Sequence, residues 1–303
     1  HLKTKIETLQ HVVVVNGLED NNFDRVLVNH GLEQNPSAVA SLDQLEASPD
    51  DITQLIFTSG TTGEPKGVMH TANTLFSNIV PYAERLHLNQ EDVVLMASPM
   101  AHQTGFMYGL MMPIELNAKV VLQDVWDVSQ AVDLIHQHQV SFTMASTPFL
   151  NDLSTTVAER HDQVSSLKTF LCAGAPIPGP LVQKARETLG VKVISAWGMT
   201  ECGAITTTRP EDDDERSFST DGIALPGVEI KIVNKAGEIK AFNEPGRLMI
   251  RSCSSFGGYL KRAHLNDTDA ESWFDTGDIA YQDEQGYIRI WGRKKDVIIR
   301  GGE

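Results

Sequence analysis

Residues 54–68 read QLIFTSGTTGEPKGV: a short apolar run, then four hydroxyl side chains, three glycines and one lysine within residues 58–68. Glycines let a backbone turn sharply and approach a ligand closely, and consecutive amide N–H groups and hydroxyls can then donate to phosphate oxygens. Lys66 adds positive charge. The pattern predicts a buried strand that enters a phosphate-binding loop and continues into a helical stretch. It is not the P-loop signature G-x4-G-K-[ST], because Glu64 and Pro65 interrupt the spacing from Gly60 and Gly67 follows the lysine. A flexible linker of the same composition seldom sits between a strand and a helix with Pro-Lys-Gly closing it.

Outward from this loop, short apolar runs alternate with helical patterns over about residues 10–200. The runs are HVVVV (11–15), QLIFT (54–58), DVVLMAS (92–98), AKVVL (118–122), SFTMAS (141–146), KTFLCAG (168–174) and VKVISAW (191–197). Helical patterns cover Gln130–Gln139 and Gly179–Leu189, the second opening with prolines and closing at Gly190. Such alternation predicts βαβ units and a mostly parallel sheet with helices on both faces. Beyond about residue 218, VEIKIV (228–233), GRLMIRS (246–252), GYIRIWG (286–292) and DVIIR (296–300) are separated by KAGE, NEPG and DEQG turns. They predict a small antiparallel barrel or meander attached to the α/β body. The acidic run Glu211–Glu215 marks the join and reads as a solvated loop.

Charge narrows the function classes. With 25 Lys+Arg against 40 Asp+Glu the formal charge is −15, which argues against nucleic acid as a main partner, since phosphate-backbone binding needs a basic face. No apolar run reaches the ~18 residues of a membrane span. The opening HLKTKIETLQ lacks the layout of a signal peptide. Cys172, Cys202 and Cys253 are odd in number and widely spaced, the usage of reduced thiols in a cytoplasmic protein. His136 and His138 lie two apart on a helical pattern, hence on different faces, and make no metal pair.

TSGTTGEPKG (58–67) resembles the phosphate-binding signature of the adenylate-forming superfamily, which contains acyl- and aryl-CoA synthetases, luciferases and peptide-synthetase adenylation domains. Further matches follow in the family's order. SPMAHQTGF (98–106) is similar to the stretch carrying an aromatic or histidine gate, AGAPIP (173–178) to the adenine-flanking loop, and SAWGMTE (195–201) to the motif whose aromatic ring stacks on adenine. WFDTGD (273–278) and GRKKDVIIRGGE (292–303) resemble the ribose-binding motif and the interdomain hinge. The wording of the last motifs is most similar to bacterial short- and medium-chain fatty acyl-CoA synthetases and cyclohexanecarboxylate-CoA ligases.

The resemblance implies layered, mostly parallel α/β sheets with flanking helices over residues 1–218, a β-rich subdomain over 219–303, and a reaction in two halves. A carboxylate attacks the α-phosphorus of ATP and expels pyrophosphate; the thiol of CoA then displaces AMP. The attacking carboxylate needs no general base, so catalysis is positioning and charge neutralisation, and no Ser/His/Asp constellation is required. Catalytic roles fall to Lys66, His102 and Glu201. Thr58, Ser59, Gly60, Thr61, Thr62, Gly63 and Lys66 would hold phosphates, with Thr58 and Glu201 holding Mg²⁺. Gly174, Ala175, Pro176, Trp197, Gly198 and Thr200 would surround the adenine, Trp197 standing where the family more often has tyrosine. Asp278 and Arg293 would reach the ribose side.

His102, Gln103, Gly105, Phe106, Thr147 and Met199 would form the acyl pocket. No buried aspartate for an amino-acid ammonium appears in the matching stretch, and the Met and Phe content suits an aliphatic acid. Arg247 stands where the family usually has glutamate, so no role carries over to it. The implied partners are a fatty acid, ATP and CoA, with a homodimer and peripheral contact at the inner membrane compatible with them. An aryl or alicyclic acid, or a nucleotide-binding fragment without turnover, are the alternatives. The phosphate loop lies near residue 58 and the chain stops just past the hinge residue Lys295. The expectation is therefore an internal piece of a longer ligase, poorly competent in thioester formation and without the family's first α/β segment and its C-terminal domain.

Overall fold

The computed structural model describes residues 47–58, 64–161 and 163–293; the runs at 11–15 and 296–300, residues Ser59–Gly63 and Lys295 lie outside them. The described elements from Pro49 onward belong to one compact unit. Its first elements correct the strand–loop–helix expectation. β1 (Ile52–Thr58) is followed not by a helix but by β2 (Lys66–Thr71), antiparallel to it with Thr58 opposite Lys66. The helix α1 (Ala72–Arg85) waits for Thr71, which caps it: the Thr71 hydroxyl accepts from Thr74 N–H while the Thr74 hydroxyl accepts from Thr71 N–H. Nor is β1 buried throughout, since Leu55 and Phe57 are 43% and 60% exposed.

The remaining apolar runs form the predicted sheet. β3 (Val93–Met96), β4 (Lys119–Leu122), β5 (Phe142–Ala145), β6 (Thr169–Ala173) and β7 (Lys192–Met199) are parallel in the order β4-β3-β5-β6-β7. Antiparallel β8 (Gly203–Thr207) and β9 (Ile223–Ala224) extend that edge. Between β3 and β4 run a short helix α2 (Gln103–Phe106), a π-helical turn (Met107–Met111) and α3 (Met112–Leu116). α4 (Val128–His138), α5 (Thr147–Arg160) and α6 (Gly179–Leu189) complete the crossovers.

The sheet is buried on both faces, which is why its strands are continuous apolar runs. One core joins Leu95, Val121, Phe170 and Val193 to Ile135, Leu153 and Val182 of α4, α5 and α6. The other joins Val94, Met96, Leu171 and Ile194 to Leu75, Ile79 and Tyr82 of α1 and to Met107, Tyr108 and Met112.

The acidic run is more structured than a solvated loop. Asp213 caps α7 (Asp214–Ser219) through Arg216 N–H, and Asp214 pairs with Lys192 at 3.2 Å and Arg186 at 2.7 Å. The second sheet is an antiparallel meander of β10 (Val228–Val233), β11 (Gly246–Ser252), β12 (Phe274–Gln282) and β13 (Ile288–Arg293). Its core residues Ile232, Leu248, Ile250, Phe274 and Ile288 pack with Cys202 and Ile205 at the β7–β8 hairpin. No described helix is long and apolar enough to cross a membrane.

Candidate active site

In an open parallel sheet, the backbone diverges where the strand order reverses, leaving a crevice at the carboxyl ends of the strands. Here β3 continues outward to β4 while β5 continues the other way to β6, so the reversal falls between β3 and β5. A cavity of about 1060 Å³ opens there. Each parallel strand from β3 to β7 except β4 delivers its carboxyl end to the wall: Ser98, Pro99 and His102 after β3, Ala145 and Ser146 at β5, Ala173 and Gly174 at β6, and Ala196–Glu201 at β7. The β1–β2 hairpin (Thr58, Lys66) and the second sheet (Phe274–Asp278, Arg293) complete the lining.

Of the residues predicted from sequence, Thr58, Lys66, His102, Gln103, Gly174, Trp197, Gly198, Met199, Thr200, Glu201, Asp278 and Arg293 all meet on this cavity. Gly105, Phe106, Thr147, Ala175 and Pro176 are not on its wall. Gly105 passes beneath the loop, where a Cβ would stand 2.2 Å from Pro99 O. Phe106 packs against the α1-side core, Thr147 opens α5, and Ala175 and Pro176 face solvent.

The tip of the β7–β8 hairpin is tightly made. At Gly198 any Cβ would lie 2.2 Å from Gly203 O, and Gly203 itself has φ +68°. Asn78 on α1 donates to Cys202 O at 3.2 Å and Ala204 O at 2.6 Å, and the Tyr108 hydroxyl donates to Asn78 Oδ1 while accepting from Ala204 N–H. Ser254 Oγ donates to Cys202 O, and Phe256 N–H to Glu201 O. His70 Nε2 lies 2.8 Å from Thr200 O. Burial lowers the His70 pKa, outweighing the Thr200 carbonyl and Glu201, so the ring is neutral and donates from Nε2. Asn78, Tyr108, Ser254, Phe256 and His70 belong to no motif and their partners lie far along the chain, so residue spacing gives no sign of these supports.

The polar groups fall into two clusters. Trp197 Nε1–H donates to Asp278 Oδ2 at 3.2 Å, and Arg293 Nε lies 3.4 Å from Asp278 Oδ1. Asp278 is only 6% exposed, and burial pushes its pKa up against the opposing pull of Arg293. In the other cluster, Lys66 Nζ donates to the Tyr259 hydroxyl at 2.8 Å, which donates to Glu201 Oε1 at 2.6 Å. His102 caps α2, its Nδ1 accepting from Thr104 N–H at 3.2 Å.

Among the described residues no group of three or more His, Cys, Asp or Glu could hold a metal by itself. A hard cation bound jointly with phosphates needs fewer, typically one or two carboxylates plus substrate oxygens. Buried Glu201, whose Oε2 has no partner among the described residues, and Thr58 with its hydroxyl both line this cavity and carry oxygens of that kind.

The fold and cleft define an α/β protein that places a lysine, two buried carboxylates and an indole around one strand-end crevice. The AMP-binding enzyme family matches residues 2–260, and the chain belongs to that family. It is 36% identical over 256 residues to the medium-chain fatty-acid–CoA ligase of Escherichia coli K12, covering 84% of this chain and 45% of the relative. It is 33% identical to the 2-succinylbenzoate–CoA ligase of Bacillus velezensis, covering 94% of this chain and 61% of that protein. The chain thus spans about half the length of the curated relatives it matches. Among solved structures, o-succinylbenzoate coenzyme A synthetase from Bacillus subtilis in complex with ATP and magnesium ion superposes with a TM-score of 0.78 at 31% identity, over 86% of this chain and 54% of that one.

Proposed function

We propose that this chain forms the adenylating part of an AMP-forming acid–thiol ligase, converting a carboxylic acid and ATP into an acyl-adenylate that CoA then captures. The observation that carries the reading is the convergence of Lys66 of β2, Trp197 and Glu201 of the β7–β8 hairpin and Asp278 of β12 on one cavity. Lys66 neutralises phosphate charge as the α-phosphorus is attacked, a stabilisation that is strongest in a preorganised site. Trp197 offers an adenine a ring whose orientation its bond to Asp278 fixes, and Asp278 accepts from ribose hydroxyls. Thr58 and Glu201 would hold Mg²⁺, which when bound would neutralise phosphate charge. Ser59–Gly63 complete the phosphate contacts and Lys295 the hinge.

For the acid we propose a short- to medium-chain fatty acid. The cavity lining includes Met144, Phe149, Ala173 and Ala196, apolar side chains suited to an alkyl tail, and the medium-chain ligase relative supports it. The 2-succinylbenzoate ligase relatives favour an aromatic acid instead. ATP–pyrophosphate exchange with octanoate, benzoate, cyclohexanecarboxylate and 2-succinylbenzoate separates them: fastest exchange with octanoate is expected. Faster exchange with a ring acid overturns the substrate, and no exchange with any acid overturns the activity of this chain.

A further inference from the structure

Tyr259 belongs to none of the motifs, yet it stands between the two opposite charges of the phosphate-side wall. Its placement is fixed from several directions. The segment around it pairs with β2: Leu260 N–H donates to Gly67 O at 2.8 Å, Met69 N–H to Gly258 O at 3.1 Å and Gly257 N–H to Met69 O at 2.8 Å. Tyr259 N–H donates to Asn266 Oδ1, and its ring packs edge-on to Phe256 with centroids 4.8 Å apart. The residue is 4% exposed.

The proton arrangement follows from chemistry. An ammonium only donates and a carboxylate only accepts, so the hydroxyl must receive from Lys66 and give its own proton to Glu201. Lys66 Nζ meanwhile sits 4.1 Å from the Tyr259 ring centroid, over its face. The ammonium is therefore held 3.9 Å from Glu201 Oε1, about one ångström beyond the 2.7–2.9 Å of a direct charge-assisted hydrogen bond.

We propose that Tyr259 is a positioning residue, a spacer that keeps Lys66 and Glu201 from closing on each other so that both charges stay available to a magnesium–polyphosphate. Resting on the ATP-dependent reading above, this gives the wall its purpose: Lys66 is left to meet anionic phosphate, and Glu201 Oε2 is left to meet the cation. Without the hydroxyl, the flexible lysine closes onto the carboxylate in a direct pair that the ligand must break before binding. The barrier is selective, since AMP carries no β- or γ-phosphate to compete for that pair.

The test is calorimetric titration of the 303-residue chain with MgATP and with AMP, the former at several Mg²⁺ concentrations. For Tyr259→Phe the expected result is MgATP affinity weakened about tenfold, the change that losing a charge-linked hydrogen bond gives. The Mg²⁺ needed for half-maximal binding should rise, while AMP affinity and the melting temperature stay at the wild-type values. A second variant, Lys66→Arg, tests the idea without touching the core, because a guanidinium can fork onto Glu201 past an intact hydroxyl; it should raise the Mg²⁺ requirement likewise. Wild-type Mg²⁺ dependence in both variants overturns the spacer, as does an equal loss of MgATP and AMP affinity in Tyr259→Phe. Wild-type chain that binds AMP and MgATP not at all overturns the nucleotide reading instead.

Discussion

The indole N–H of Trp197, at the end of the parallel sheet's β7, donates to Asp278 Oδ2 on β12 of the antiparallel sheet at 3.2 Å. This bond ties the two sheets together at the cavity and fixes both the indole plane and the carboxylate.

Replacing Asp278 by Asn should cost nucleotide affinity while sparing stability. A carboxylate that accepts from two hydroxyls is worth about 1.5–3 kcal/mol per charged hydrogen bond, so AMP affinity should fall about ten- to hundredfold by calorimetry. The pKa of Asp278 is raised by burial. A raised carboxyl favours the native state below its unfolded value and burdens it once pH rises through the folded value. Asp278→Asn should therefore melt at or above the wild-type temperature at pH 7.5, with any gain vanishing as pH falls to about 4. A lower melting point at pH 7.5 would contradict the assignment.

Removing the lysine should act on rate. Lys66→Ala is expected to lower the turnover of ATP–pyrophosphate exchange about 10²–10³-fold, the scale of losing one preorganised charge-stabilising group. Melting temperature should change little, because the side chain is 32% exposed. Unaltered exchange kinetics would remove Lys66 from the phosphate wall.

Gly198 has no room for a methyl group. A Cβ there would stand 2.2 Å from Gly203 O and 2.7 Å from Ala204 Cα, both backbone atoms that cannot swing aside. Gly198→Ala should destabilise by about 1–3 kcal/mol and distort the hairpin tip that carries Glu201. Chemical denaturation measures the first, and weakened MgATP binding at temperatures where the variant is folded measures the second.

His70 gives the site an acid limit. Its pKa is lowered from 6.5 by burial, so the unfolded chain binds the proton more readily and stability falls as pH drops below about 6.5. His70→Gln keeps an N–H donor toward Thr200 O and removes the titration. Unfolding free energy between pH 7.5 and 5.5 should decline less steeply in the variant; parallel slopes would assign the acid sensitivity elsewhere.

The sequence alone determined what is local. Apolar runs located β1, β3 to β7, β10, β11 and β13, most plainly β3, β5, β6 and β7, because strands buried on both faces leave few polar positions. Gly179–Leu189 was bounded by its own prolines and by Gly190, the left-handed C-cap at φ +70°. The motifs likewise named twelve residues that line the cavity, Lys66, Glu201 and Asp278 among them, since lysine and carboxylate chemistry is written in residue type. Tertiary structure decided what depends on distant partners. The segment after the phosphate loop is a strand, not a helix, because it hydrogen-bonds to β1 and to residues 257–260. β12 escaped notice because its Asp-Thr-Gly-Asp interior reads as a turn, and only pairing with β11 and β13 makes it a strand. Asn78, Tyr108, His70 and Tyr259 acquire their places from hydrogen bonds to residues some 58 to 193 positions away. Spacing along a chain carries no record of such contacts; they exist only once burial forces each polar group to find a partner.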